Sequence, residues 1–234
     1  AIYPWTITLS PHAAVPIFNL SKALYKQARY EEALEASRVA VAKRPDFSRA
    51  YTGLGEALNA LGRSKEAETH LRRAIALNPQ AWDAHFNLGA ILYKQARYEE
   101  ALEASRIAVA KRPNHASAHH NLGMIFNALG RFEEAEKHLR RAITLDHTKA
   151  LYALAKLQIE QQRYDESLEL LQHLIGIEPG HAKGLNAIGT VLFYLGRRDE
   201  ALQHFDQALS LDPTLESVRD NREAVLKAMK GNIE

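Results

Sequence analysis

The sequence predicts an all-α chain of stacked helix pairs, and three observations carry that expectation. A glutamate followed by alanine or serine recurs at Ala33, Ala67, Ala101, Ala135, Ser167 and Ala201, spaced by 34, 34, 34, 32 and 34 residues. Within a period the apolar positions show helical spacing twice over, with glycine or proline closing each run. Residues 24–45 (LYKQARYEEALEASRVAVAKRP) return as residues 92–113, two periods later, with Ile107 in place of Val39 as the one difference. Periods of about 20–50 residues mark folds in which each unit buries its apolar face on its neighbours.

Each element follows from its residues. In the second period Tyr51, Leu54, Gly55 and Leu58 fall at i, i+3, i+4 and i+7, Gly62 interrupts the pattern, and Ala67, Leu71, Ala74 and Ile75 resume it up to Asn78-Pro79. Gly55, Gly89, Gly123 and Gly189 let two helices approach closely, while Pro45, Pro79, Pro113, Pro179 and Pro213 end the second helix of a pair. Acidic pairs such as Glu31-Glu32, Glu99-Glu100, Glu133-Glu134 and Asp199-Glu200 open that second helix, where its dipole favours negative charge. Periods 1 and 3 resemble each other, as do periods 2 and 4 (ALNALGRSKEAETHLRRAI, IFNALGRFEEAEKHLRRAI), so the copied unit is a pair of periods.

Composition narrows the function classes. The chain has 234 residues, 46% of them apolar and 25% charged, the balance of a folded, soluble protein rather than a disordered one. A net charge of +2 gives no support to a nucleic-acid binder that relies on summed phosphate attraction. The absence of cysteine excludes disulfides, thiol nucleophiles and cysteine-ligated zinc. No apolar run approaches the roughly 18–20 residues that span a bilayer, and AIYPWTITLSPHA lacks the charged and apolar regions of a signal peptide. A start at Ala1 rather than Met is what a processed product or a fragment of a longer protein would show. The compartment stays open, with the cytoplasm favoured.

The runs His85-Leu88-Gly89-Leu92-Ala101-Ser105-Ala108-Pro113 and Leu185-Ile188-Gly189-Leu192-Ala201-Phe205-Ala208-Pro213 resemble the signature of the tetratricopeptide repeat. The resemblance implies a right-handed superhelical solenoid of antiparallel helix pairs. It divides the chain into a non-repeat segment 1–13, six repeats at 14–47, 48–81, 82–115, 116–147, 148–181 and 182–215, and a capping helix and tail at 216–234. Leu215, Val218, Val225, Leu226 and Met229 fall on one face of that last helix, suited to covering the final repeat. Repeat 4 is two residues short and has His147 where the closing proline belongs, so its junction with repeat 5 is expected to stack irregularly. The segment 1–13, with Pro4, Pro11 and Trp5, is expected to be a leader or an extended strand lying in a groove.

Eleven histidines invite a metal reading, above all in NHASAHH. His85 and His119 share one repeat position, however, and His70, His138 and His204 another, which points to surface or packing use; no metal or other cofactor is expected. No phosphate loop, nucleophile elbow or metalloprotease motif occurs, so no enzyme activity is expected.

Instead the resemblance implies a concave groove lined by the first helix of each repeat. Its lining positions carry Phe18, Asn19, Lys22, Tyr25 and Lys26, then Arg49, Glu56 and Asn59, then Asp83, Phe86, Asn87, Tyr93 and Lys94. Repeats 4 to 6 add His120, Asn121, Met124 and Asn127, then Lys149, Tyr152, Lys156 and Glu160, then Lys183, Asn186, Phe193 and Tyr194. Seven of these residues are basic and three acidic, which favours an acidic or carboxylate-bearing ligand. Asn19, Asn87 and Asn121 share one position, and an amide both donates and accepts, which suits a ligand backbone regardless of its sequence. A similar row lines the repeat arm of a glycosyltransferase. Asn121 and Lys149 supply only part of the two-carboxylate clamp of chaperone-binding members. The expected function is a scaffold holding an extended peptide or helix of a partner protein, with homo-oligomers left open. The rival reading is the substrate-selecting or assembly arm of a larger enzyme; an RNA-binding helical repeat is disfavoured by the spacing of 34 and the low charge.

Overall fold

The computed structural model describes residues 11–230, so the expectation for residues 1–10 and the final tail 231–234 lies outside the described residues. A short 3-10 turn, Pro11–Ala13, leads into paired helices: α1 (Ala14–Lys26) and α2 (Tyr30–Lys43), α3 (Ser48–Ala60) and α4 (Ser64–Leu77), α5 (Trp82–Lys94) and α6 (Tyr98–Lys111). The pairing continues with α7 (Ala116–Ala128) and α8 (Phe132–Thr144), α9 (Lys149–Glu160) and α10 (Tyr164–Ile177), α11 (Ala182–Tyr194) and α12 (Arg198–Leu211), before α13 (Glu216–Lys230). The chain divides into two compact units, Ala1–Asn121 and Leu122–Glu234, with the boundary inside α7.

The turn inside each pair needs one residue with left-handed backbone. Gly62, Gly130 and Gly196 occupy it with φ of 78°, 70° and 78°, whereas Ala28, Ala96 and Gln162 occupy it with φ of 58°, 58° and 60°. Left-handed backbone costs an ordinary residue about 1–2 kcal/mol and glycine almost nothing. The turn closes on backbone bonds such as Arg63 N–H to Leu58 O (2.8 Å) and Arg97 N–H to Leu92 O (3.0 Å).

The residue after that turn opens the second helix by a repeated device. Arg29, Arg63, Arg97, Arg163 and Arg197 each reach the glutamate three residues on, at 2.5–2.7 Å, and Arg131 makes the same pair with Glu134. The guanidinium holds Glu32, Glu66, Glu100, Glu166 and Glu200 below the usual carboxylate range, and the helix dipole favours the same ionised form.

Proline sets the other end. Arg44, Asn78, Arg112, Glu178 and Asp212 leave their helices in extended conformation, φ between −125° and −145°, because the proline that follows excludes helical backbone. Where His147 replaces proline that exclusion is gone. There α8 ends through Asp146 in left-handed conformation (φ 61°), with His147 N–H bonded back to Ala142 O at 3.1 Å.

In unit 1 the helices of each pair pack on one another, α2 and α4 each contact the next pair, and α1, α3 and α5 also meet directly. The closest approach lies where a small residue on the first helix faces the second: a Cβ added to Gly55 would lie 2.5 Å from Leu71 Cγ. Unit 2 repeats the arrangement with Gly123 against Leu139 and Gly189 against Phe205. Its core joins Leu151, Leu171, Leu174, Ile188, Val191, Leu192 and Phe205, and α13 lays Val218 and Val225 against it with Leu215 and Met229 partly buried. The odd repeats solve this contact differently. Ser21 donates to Ala33 O (2.8 Å) and shares a hydrogen bond with Ser37 (2.6 Å), but Ser105, facing Gly89, is buried with no partner for its hydroxyl among the described residues.

Two expectations follow. Ala28→Gly and Ala96→Gly should each raise stability by up to about 1 kcal/mol, and Gly62→Ala should lower it by a similar amount, read from thermal unfolding. Ser105→Leu removes an orphan hydroxyl and places beside Gly89 the side chain that Gly55 and Gly123 already accommodate. It should raise stability by about 1 kcal/mol or more in urea titration, and destabilisation would show that the site lacks the room.

Candidate functional site

The first helices of the pairs carry the residues singled out from the sequence. In unit 1, α1, α3 and α5 lie side by side, so positions one repeat apart become neighbours. Lys22 Nζ donates to Glu56 Oε2 at 2.7 Å, and Asn87 Nδ2 donates to Glu56 Oε1 at 3.1 Å. Glu56 is thus a resident carboxylate with one donor on each oxygen, joining three successive first helices; its side chain is 12% exposed. Neither Lys22 nor Asn87 stands free. Asn19, Lys26, Arg49 and Lys94 stay exposed or half-buried without an ion pair among the described residues.

Aromatic rings line the same helices. Tyr25 meets Tyr30 at 5.3 Å and Tyr93 meets Tyr98 at 5.7 Å. Burial raises the Tyr25 and Tyr93 hydroxyls above their ordinary range; Glu56 adds to the effect at Tyr25 and neighbouring tyrosines add at both. Three odd repeats pair a ring on the first helix with the residue preceding the next: Phe18 with Phe47 (5.5 Å), Phe86 with His115 (5.2 Å) and, in unit 2, Tyr152 with His181 (5.3 Å). Trp82 joins the middle cluster at 4.8 Å from His115, under the Arg112 guanidinium at 4.4 Å. Burial, then Arg112 and His119, lower the His115 pKa. On α7, His120 and Asn121 are half-buried.

In unit 2, α9 places Lys149 and Lys156, and α11 places Lys183, all exposed and without an ion pair among the described residues. Burial raises the Tyr152 hydroxyl. Asn186 Oδ1 accepts from Asn221 Nδ2 of α13 at 3.1 Å. Phe193 lies 5.9 Å from Tyr194, whose ring stacks on Tyr164 at 5.0 Å, 8° from parallel.

Sequence reasoning missed Asn221, although it falls 34 residues after Ala187 and one repeat position along the asparagine row. It also missed the double role of Glu56, for which the spacing of 34 from Lys22 was a signal. The histidines serve the frame: Nε2 of His85 and His119 donate to the carbonyls of Pro79 (3.1 Å) and Pro113 (2.9 Å). Nδ1 of His181 accepts the Gly184 N–H (2.9 Å) at the start of α11.

Five stretches, residues 18–73, 55–96, 83–148, 127–188 and 182–215, match the tetratricopeptide repeat, and the chain belongs to that family. It is similar to the Protein CTR9 homolog of Arabidopsis thaliana, 34% identical over 82 residues, which are 35% of this chain and 7% of that relative. Among solved structures it resembles the type IV pilus biogenesis factor PilW, with a TM-score of 0.81 and 19% identity over 89% of this chain and 97% of that one. Pseudomonas aeruginosa pilF gives 0.80 with 20% identity over 91% and 98%. YrrB, a tetratricopeptide protein described as having an unusual peptide-binding site, gives 0.67 with 21% identity over 81% and 99%. These likenesses show the fold, a helical solenoid of tetratricopeptide repeats.

Glu56→Ala should cost about 1–2 kcal/mol, because it leaves Lys22 and Asn87 without their shared acceptor, and Glu56→Gln should cost less. A double-mutant cycle between Lys22→Ala and Glu56→Ala, followed by urea unfolding, measures the coupling; additive costs would show that the pair holds nothing.

Proposed function

We propose that the chain is a binding scaffold, with no catalysis of its own, that holds an extended peptide or helix of a partner protein along its first helices. The observation that supports this best is the set of exposed cations there that form no ion pair among the described residues: Lys26, Arg49 and Lys94 in unit 1, and Lys149, Lys156 and Lys183 in unit 2. Beside them stand half-buried rings, Phe18, Phe86, Tyr93, Tyr152 and Phe193, that offer contact area at low entropic cost. Lys22 and Asn87 contribute least, because Glu56 already occupies them. The exposed amide of Asn19, which makes no side-chain hydrogen bond among the described residues, remains for a ligand backbone. The peptide-binding site described for YrrB is consistent with this use of the fold.

The ligand chemistry this favours is acidic. Two labelled peptides of equal length, one alternating glutamate with leucine and one alternating lysine with leucine, test it by fluorescence anisotropy. The acidic peptide should bind more tightly, weaken as salt shortens the Debye length from about 10 Å to about 3 Å, and lose several-fold in affinity when Lys149, Lys156 and Lys183 are replaced by alanine. Equal binding of the basic peptide, or no loss in the triple variant, overturns the proposal; preference for an RNA homopolymer at physiological salt would do the same.

A further inference from the structure

A cavity of about 230 Å³ opens between α4 and α6 in unit 1, over the helix α5 that both pack against. His85, Leu88, Leu92 and Ala104, all buried, form its floor, and the half-buried Ile75 and Ile107 form its walls. Arg72, Glu100 and Glu103, all exposed, make the rim. We propose that this cavity takes one aromatic side chain of a partner protein, presented beside a basic residue.

The other repeats show what belongs in that space. The place of Ala104 is taken by His70 in the second repeat, His138 in the fourth and His204 in the sixth, each half-buried. His70 stacks on Tyr51 with ring centroids 6.1 Å apart and planes 28° from parallel, and His138 stacks on Phe126 at 5.4 Å and 19°. Tyr51 holds the place of His85 and Phe126 that of Leu92, two residues of the cavity floor. Burial lowers the pKa of His70 and of His204, which favours the neutral ring.

The third repeat keeps one half of this arrangement. His85 is anchored by its Nε2, which donates to the Pro79 carbonyl at 3.1 Å, so a ring that enters meets an aromatic neighbour already fixed in place. In the fifth repeat Leu151 stands in place of His85, and Leu170 fills the space as its aliphatic counterpart. An apolar cavity of about 150 Å³ holds a benzene ring, so the space above Ala104 suits one ring and not a helix.

The rim is opposite in sign to its copies. Glu100 and Glu103 stand against a single guanidinium, Arg72, which already reaches Glu68 at 2.8 Å and Glu100 at 3.3 Å. The corresponding places hold Arg38, Glu66, Thr69 and Arg73 in the second repeat, and Arg106, Glu134, Lys137 and Arg141 in the fourth. Acids therefore outnumber bases at the third repeat, and bases outnumber acids at the other two. Ile107, in the place of Arg73 and Arg141, removes a cation and adds apolar wall. Because the rim charges are exposed, they select the partner more than they hold it; the ring supplies the affinity.

The site uses other residues of α5 than the helix row does and favours the opposite charge, so it goes beyond the scaffold reading and is tested apart from it. The full chain, with 13C-labelled isoleucine and leucine methyl groups, is titrated at pH 7 with acetyl-Lys-Phe-Lys-amide. Parallel titrations use the peptides with leucine or alanine in place of phenylalanine, and the one with glutamate in place of both lysines. The first peptide should shift the methyl signals of Ile75, Leu88, Leu92 and Ile107 saturably in the millimolar range, with cross-relaxation from its ring protons to those methyls. The other three should bind at least about threefold more weakly. Ala104→His, the residue of the second and fourth repeats, should weaken the first peptide at least about tenfold with circular dichroism unchanged. Glu103→Lys, the residue of the fourth repeat, leaves the floor intact and should weaken it at least about threefold, which keeps the test decisive if Ala104→His does not fold. Unaltered binding in either variant, equal binding of the leucine or the glutamate peptide, or no saturable shift at those methyls each overturn the proposal. Light scattering that shows self-association rising with concentration and abolished by Ala104→His would assign the cavity to a second copy of the chain and overturn it as well.

Discussion

Everything in these repeats hangs on how closely the two helices of a pair can approach. A glycine on the first helix admits a large side chain from the second, Leu71 at Gly55, Leu139 at Gly123 and Phe205 at Gly189, where any Cβ would collide at 2.5–2.6 Å. That contact fixes the depth of each pair, and so where the next pair must pack. The left-handed turn residue and the proline that ends the second helix act on the same problem from outside, by stopping each helix at a constant length.

Neighbouring repeats are tied by polar contacts of very different kinds. On the second helices of unit 1, Glu68 accepts from Arg72 and Arg97, both at 2.8 Å, and Arg72 also reaches Glu100. Unit 2 has the same figure at Glu136, Arg140, Arg163 and Glu166. Most of these groups are a third or more exposed, so solvent screens each pair and it serves alignment more than stability. Glu56 is sheltered, and its two bonds count for more. It also changes what the helix row offers a ligand, because one of the lysines counted on for attraction is already spent on it.

The fold was legible in the sequence because periodicity reports directly on packing: Ala33, Ala67, Ala101 and Ala135 recur since each is buried at the same contact. The candidate site was legible only as a set of positions. Repeat numbering places Lys22, Glu56 and Asn87 on first helices but says nothing of which rotamers let them meet. The ending of α8 could be anticipated as irregular from the missing proline, but not that Asp146 would supply the left-handed residue.

Internal duplication leaves a mark on refolding. The sequences of α2 and α6 differ at one residue, so the two present nearly the same apolar face to a docking partner. What tells the two registers apart is their surroundings: Ser37 finds a hydroxyl partner in Ser21, while Ser105 faces a bare glycine, and Phe47 and His115 meet different rings. The energy gap between correct and slipped docking therefore rests on a few contacts, and the odd repeats, through their very likeness, are where a refolding chain has most opportunity to pause in a mispaired state.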